Sequence, residues 1–327
     1  MSENKPYYDL NRFLREHFGC RIQKITVDAG FTCPNRDGTL GRQGCIYCNA
    51  RGSGTGAHAR GLSIRQQIEA GQAGLARRYK AKGFIAYFQA FTNTYAPVDV
   101  LRRRYEEALG VPGVVGLAIG TRPDCVDGAV LDLLQSYTDR YMVWIEYGLQ
   151  SIHDHTLAAI RRGHDAAAFR RAVEATRGRG ILTCAHIILG LPGESGAHMR
   201  QTARAVAALG LDGIKIHLLY VVRGTALARL HQRGEYRCLS QSEYVDRVCE
   251  VLERLPPRMV IQRLTGDPHP GELVAPAWAL HKRDTLDLIH ARLAQRGSYQ
   301  GKLYSAEERG ADGAAGDRFA LPRLQRR

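Results

Sequence analysis

Short apolar runs alternate along the chain with longer segments whose apolar positions recur every three to four residues. The runs Ile22–Val27, Phe84–Phe91, Val114–Ile119, Tyr141–Tyr147, Leu182–Leu189 and Ile214–Val222 are mostly apolar on both faces, as strands buried in a parallel sheet are. The segments Ser63–Lys82, Val98–Leu109, Asp127–Tyr137, Ala166–Arg177 and Glu194–Leu209 read as amphipathic helices. Strands and helices in strict alternation make βαβ units, joined by right-handed crossovers. A closed barrel of this kind has eight strands. The six found between residues 21 and 225 predict an α/β fold, an open (β/α)6 TIM-like partial barrel.

The flanks differ. Residues 1–20 carry Tyr7, Tyr8, Phe13 and Phe18 among polar positions and read as an N-terminal helical extension packed on the barrel. After residue 225 the pattern predicts a C-terminal α/β extension, 226–304. It holds a helix Gln241–Leu255, a possible further strand Met259–Leu264 and a long amphipathic helix Ala277–Gln295. The last stretch, 305–327, is rich in Gly, Ala and Arg and reads as a mobile tail.

Charge changes the picture next. The 327 residues carry a formal net charge of +14. That balance suits a polyanionic partner such as tRNA, and suits equally an arginine-rich solvated surface. No run of 18 apolar residues is present, so a membrane-spanning helix is not expected. The N-terminus lacks an apolar leader, which points to a cytoplasmic protein. In that compartment the eight cysteines read as thiols and metal ligands, not disulfides.

Three of those cysteines stand together in Cys33-Pro-Asn-Arg-Asp-Gly-Thr-Leu-Gly-Arg-Gln-Gly-Cys45-Ile-Tyr-Cys48, in the loop after the first strand. Side chains at strand C-termini face the mouth of a barrel, where its chemistry sits. Three thiolates can hold three irons of a cubane and leave the fourth open. The competing reading is a zinc site, which needs a fourth ligand from Cys20 or His58. The other five cysteines, Cys20, Cys125, Cys184, Cys238 and Cys249, show no second cluster spacing.

Further motifs follow in order: Gln89-Ala-Phe-Thr-Asn-Thr-Tyr-Ala-Pro97, Gly120-Thr-Arg-Pro-Asp-Cys125, Glu146-Tyr-Gly-Leu-Gln-Ser151, Arg162-Gly-His164, His186-Ile-Ile-Leu-Gly-Leu-Pro-Gly-Glu194, Lys215-Ile-His-Leu-Leu-Tyr220 and Gln262-Arg-Leu-Thr-Gly-Asp267. With the cysteine loop they make the chain resemble radical S-adenosylmethionine (SAM) proteins, specifically the YhcC/YtqA-like branch, over about residues 5–305. Four of the elements also resemble the radical SAM domain of the Elongator catalytic subunit, which modifies wobble uridine in tRNA.

The resemblance implies a [4Fe–4S] cluster on Cys33, Cys45 and Cys48, with SAM as second cofactor. SAM would be cleaved reductively to a 5′-deoxyadenosyl radical, with the electron drawn from an external donor such as flavodoxin or ferredoxin. Around SAM the resemblance places Tyr47, Gln89, Thr92, Asn93, Arg122, Glu146, Gln150 and Arg162. Each has a plainer reading. Tyr47 can simply pack in its loop, and Gln89, Thr92 and Asn93 can serve the turn. Arg122 can pair with Asp124. Arg162 can act as a cation at a helix end before the capping Gly163. Glu146, in an apolar strand, needs a partner, either SAM ribose or a buried base. His186, and Lys215 with His217 two residues apart on one strand face, are the candidates for substrate chemistry. The substrate implied is tRNA at or near the wobble uridine. Arg12, Arg15, Arg21, Arg77, Arg78, Lys80, Lys82 and Arg102–Arg104 are candidate phosphate contacts. The alternatives are an acidic small molecule such as a porphyrin, and a non-catalytic metal-binding RNA adaptor. No obligate protein partner is evident.

Overall fold

The computed structural model describes residues 5–52 and 54–304; the expected tail, 305–327, lies outside them. The chain opens with α1 (Leu10–Phe18). Asp9 accepts from Arg12 N at its start, and Gly19, left-handed at φ 67°, ends it.

Seven parallel strands then form one sheet in chain order: β1 (Ile22–Val27), β2 (Gly83–Phe88), β3 (Val114–Thr121), β4 (Met142–Gln150), β5 (Leu182–Leu189), β6 (Gly213–Leu218) and, after a short β7 (Val221–Val222), β8 (Val260–Arg263). The crossovers carry α2 (Ile64–Tyr79), α3 (Val98–Leu109), α4 (Gly128–Gln135), α5 (Asp154–Ala159), α6 (Ala166–Thr176) and α7 (Gly196–Ala207). Between β7 and β8 lie α8 (Ala226–Gln232) and α9 (Gln241–Leu252). After β8 come β9 (Leu273–Ala275), paired antiparallel with β7, and α10 (Lys282–Gln295).

The strand expected over Met259–Leu264 therefore joins the barrel sheet itself, so the half-barrel has seven strands. The run Ile214–Val222 is not one strand. It leaves the sheet after Leu218, and Val221–Val222 changes partner. A continuous apolar run does not record where the hydrogen-bond partner changes. The expected helix Ala277–Gln295 is a short turn, Ala277–Leu280, followed by α10, with non-helical backbone at His281 between them.

One contact shows that the sheet is curled. Its edge strands β1 and β8 are not paired, yet Lys24 Nζ on β1 reaches Gln262 Oε1 on β8 at 2.6 Å. Strand alternation divides the side chains. Val27, Phe88, Ile119, Ile145, Ile187 and Ile216 face outward into the core shared with the helices. Inward, toward the strand N-termini, Ile22, Ile85, Met142, Leu182 and Val260 form a second core, plugged by Phe13 and Leu14 of α1. Phe13 meets Trp144 edge to face at 5.7 Å. Toward the strand C-termini the inner surface turns polar, through Lys24, Glu146, Gln150, His186, Lys215 and His217. A dry floor and a polar mouth follow directly from that gradient.

Candidate active site

The loop after β1 is pinned at both ends of its cysteine motif. Arg36 N and Asp37 N bond the Cys33 carbonyl, and Cys48 N bonds that of Cys45. Ile46 then ties the loop to its surroundings: its N–H reaches the carbonyl of Ile160, and its carbonyl accepts from Leu227 N. This geometry brings Cys33, Cys45 and Cys48 to the wall of one cavity at the C-terminal mouth of the half-barrel. All three are free thiols.

Donors are aimed at the sulfur. Asn35 Nδ2 lies 3.6 Å from Cys45 Sγ and also bonds the carbonyls of Arg161 and Arg162. Arg162 Nη1 lies 3.8 Å from the same sulfur. Burial pushes the Cys48 thiol up, and Cys45 and Cys33 add to this while Arg36 opposes it. Among the described residues no three His, Cys, Asp or Glu side chains converge closely enough to hold a single metal ion. Neither Cys20 nor His58 lines the cavity; Cys20 packs against the core beneath the barrel. The zinc reading thus lacks its fourth ligand. A ring of sulfurs around a cavity, with hydrogen-bond donors behind one of them, fits a cubane cluster.

Tyr47, Gln89, Thr92, Arg122, Glu146, Gln150, Arg162 and His186 line the same cavity. Gln150 is brought there by left-handed backbone, φ 75°, at a bulge in the pairing of β4 with β5. Arg162 follows α5, and its Nε and Nη2 grip the Gly148 carbonyl at 3.2 and 2.9 Å. A Cβ on Gly148 would stand 2.5 Å from that guanidinium, so the approach needs glycine.

One expectation needs correction. Asn93 does not reach the cavity: fully buried, it donates to the carbonyls of Phe88 and Gly120 and ties β2 to β3. Arg122 lines the cavity. Asp124 holds two of its nitrogens, at 2.9 and 2.6 Å, and the Arg162 carbonyl holds the third, at 2.7 Å, so it braces the wall with further N–H donors still free among the described residues.

Glu146 finds partners among the bases. Its Oε1 accepts from Lys24 at 2.6 Å, and its Oε2 from Lys215 and from His186 at 2.9 Å. Burial raises its pKa, but Lys215, Lys24 and His186 outweigh this and hold it well below the usual carboxylate range. Burial lowers Lys215 to about 7, against the pull of Glu146, and lowers His186 to about 4. The group thus holds an ionised carboxylate and a neutral imidazole. Lys215 Nζ also sits 3.9 Å from the Tyr87 ring centroid. Lys215 does not line the thiol cavity; it faces an adjoining chamber that shares Tyr87 and Gln89 as a wall.

Lys24, Asn35, Arg36 and Phe91 were not singled out from the sequence. Lys24 carried a signal, a lone lysine inside an apolar strand. Asn35 lies two residues after the first cysteine. Phe91 has left-handed backbone, φ 62°, under the Arg36 guanidinium, and nothing in the sequence marks it.

Residues 36–206 match the Radical SAM superfamily, and residues 211–295 match the Radical SAM C-terminal domain. The uncharacterized protein YtqA of Bacillus subtilis is 44% identical over 304 residues, 93% of this chain and 94% of that protein. Elongator complex protein 3 of Schizosaccharomyces pombe is 29% identical over 157 residues, 47% of this chain and 28% of that protein. Among solved structures, an N-terminally truncated Elp3 from the archaeon Methanocaldococcus infernus superposes with a TM-score of 0.63 at 16% identity. It covers 85% of this chain and 64% of that one. No helix among the described residues is long and apolar enough to cross a membrane.

Proposed function

Since the chain belongs to the radical SAM superfamily, whose enzymes use a [4Fe–4S] cluster and SAM, we propose that it modifies RNA, with the wobble-uridine side chain of tRNA as its target. When bound, cluster and SAM supply a 5′-deoxyadenosyl radical that abstracts hydrogen from the substrate. Cys33, Cys45 and Cys48 are the cluster ligands. Asn35 and Arg162 hydrogen-bond the Cys45 sulfur and tune it. Tyr47, Gln89, Thr92, Gln150 and Arg162, on the walls between the thiols and the barrel interior, hold SAM. Glu146 anchors Lys215 and His186 toward the substrate. The dry floor of Phe13, Leu14 and Trp144 keeps water out from beneath. Flavodoxin or ferredoxin serves as electron donor.

One observation carries the reading: a single cavity is lined by both the three thiols and the Glu146–His186 pair. Cofactor ligands and polar groups suited to a substrate therefore open onto one space. The tRNA target draws its support from the similarity to Elongator complex protein 3 and from the net charge of +14. Several basic residues considered for phosphate contact are engaged elsewhere. Arg12 pairs with Glu16, Arg102 with Glu106 and Arg104 with Glu107. Being exposed, those pairs are weak and open to exchange for a phosphate. The test is mass spectrometry of tRNA nucleosides from a strain lacking the gene. A changed wobble-uridine profile, restored by the wild-type gene but not by a Cys48→Ala variant, supports the reading. An unchanged profile redirects it to an acidic small molecule.

A further inference from the structure

On the open side of the half-barrel, between β1 and β8, lies a chamber of about 420 Å³, within the roughly 300–1,000 Å³ of ordinary ligand sites. Its walls come from β1, β8, α1 and α10, and it shares Tyr87 and Gln89 with the thiol cavity. The apolar part is Leu14, Ile22, Leu264 and Leu286. The polar part carries unbalanced charge. Lys24 and Lys215 share the single carboxylate of Glu146. Arg263 also lines the chamber. Half-buried, it has no hydrogen bond or ion pair among the described residues.

A register shift in the pairing of β6 with β8 sets Arg263 opposite Lys215, and both it and Gln262 reach the chamber. Gln262 Nε2 is buried with no acceptor. Polar groups left in this condition cost free energy unless a ligand or water satisfies them. A half-buried guanidinium with no partner among the described residues, beside a buried amide donor that lacks an acceptor, is complementary to an oxyanion.

We propose that this chamber binds the anionic group of the substrate, a carboxylate or phosphate, and that Arg263 grips it with Gln262 as second donor. The apolar walls take the substrate's body, and the shared wall at Tyr87 and Gln89 places that body next to the thiol cavity. This rests on the reading of the chain as a radical SAM enzyme whose substrate occupies the half-barrel. It adds where the substrate's charge is held: in the chamber adjoining the thiol cavity.

The test uses the cluster-reconstituted protein with malonate and inorganic phosphate as probes, titrated at constant ionic strength. Calorimetry reads the binding, and protection of Arg263 from phenylglyoxal, mapped by peptide mass spectrometry, reads the place. The wild type binds at least one probe. Arg263→Gln weakens that binding tenfold or more, Arg263→Lys weakens it less, and Arg233→Ala, an exposed residue paired with Glu235 and absent from the chamber walls, binds as the wild type does. Preference for malonate assigns a carboxylate; preference for phosphate assigns a phosphate. The proposal falls if neither probe binds the wild type, if Arg263→Gln binds unchanged while folded by circular dichroism, or if Arg263 is modified equally with and without probe. SAM cleavage by the same wild-type preparation is measured alongside. Its absence with anion binding intact would sink the enzymatic reading and leave the chamber standing.

Discussion

Lys24 and Gln262, 238 residues apart, meet across the open side of the half-barrel, Nζ to Oε1 at 2.6 Å. The same ammonium bonds Glu146, so one lysine links the first, fourth and last strands of a sheet whose edges are unpaired. The polar layer of the barrel is therefore part of its architecture as well as of its site.

Among the described residues Glu146 is the only carboxylate bonded to Lys24 and Lys215, and Glu146→Gln leaves both amines in a buried layer without it. Breaking a buried ion pair from one side costs about 3–5 kcal/mol. Urea unfolding of the apo protein should show a loss of that order with an unchanged slope. Retained stability would mean that water, not Glu146, solvates the lysines.

Acid should destabilise the fold through His186. Its folded-state pKa is about 4 against an ordinary 6.5, so the unfolded chain takes up the proton first as pH falls. The contribution is fully present above about pH 6.5 and is lost progressively toward pH 4. Glu146, also depressed, acts in the same direction at lower pH. Because a tenfold difference in proton affinity is worth about 1.4 kcal/mol, the His186 part is on the order of 1–3 kcal/mol. Stability measured from pH 8 to 4 should fall over that window, and the fall should be shallower in His186→Gln.

Cys33→Ala, Cys45→Ala and Cys48→Ala should each lose bound iron and sulfide after anaerobic reconstitution, and with them 5′-deoxyadenosine formation. Cys20→Ala, altered under the barrel floor, should keep both. Iron and sulfide analysis, with the visible absorption of the reconstituted protein, reads the outcome. Full loading in any of the three would remove that cysteine from the ligand set.

Gly163→Ala tests the support behind the sulfur. Gly163 has φ 78°, and a Cβ there would stand 2.6 Å from Asn35 Oδ1. Relief requires Asn35 to move, and Asn35 is the donor to Cys45 Sγ. A loss of about 1–2 kcal/mol is expected from the backbone alone, together with slower or incomplete cluster assembly. Normal assembly kinetics would show that the Asn35 contact is dispensable.

Alternation of strand and helix, the open barrel and the three-cysteine loop were all legible in the chain, because each rests on local periodicity or on residues close in sequence. The bounds of β1, α3 and β5 agree residue for residue with the pattern, since each run ends at a clear change of residue type. What the sequence hid depends on which strands curl together. Glu146 announced that it needed a partner, but its three came from β1, β5 and β6, chosen by curvature and register. Asn93 looked like a cofactor ligand from its neighbours in the chain. Burial instead committed it to backbone carbonyls, because a polar group enclosed by the fold takes the acceptors that packing supplies. The chamber at Arg263 exists only because β8 joins the sheet and stops short of β1. Periodicity can predict a strand, but closing or leaving a gap is settled by the summed twist of the whole sheet and the helix that plugs its floor.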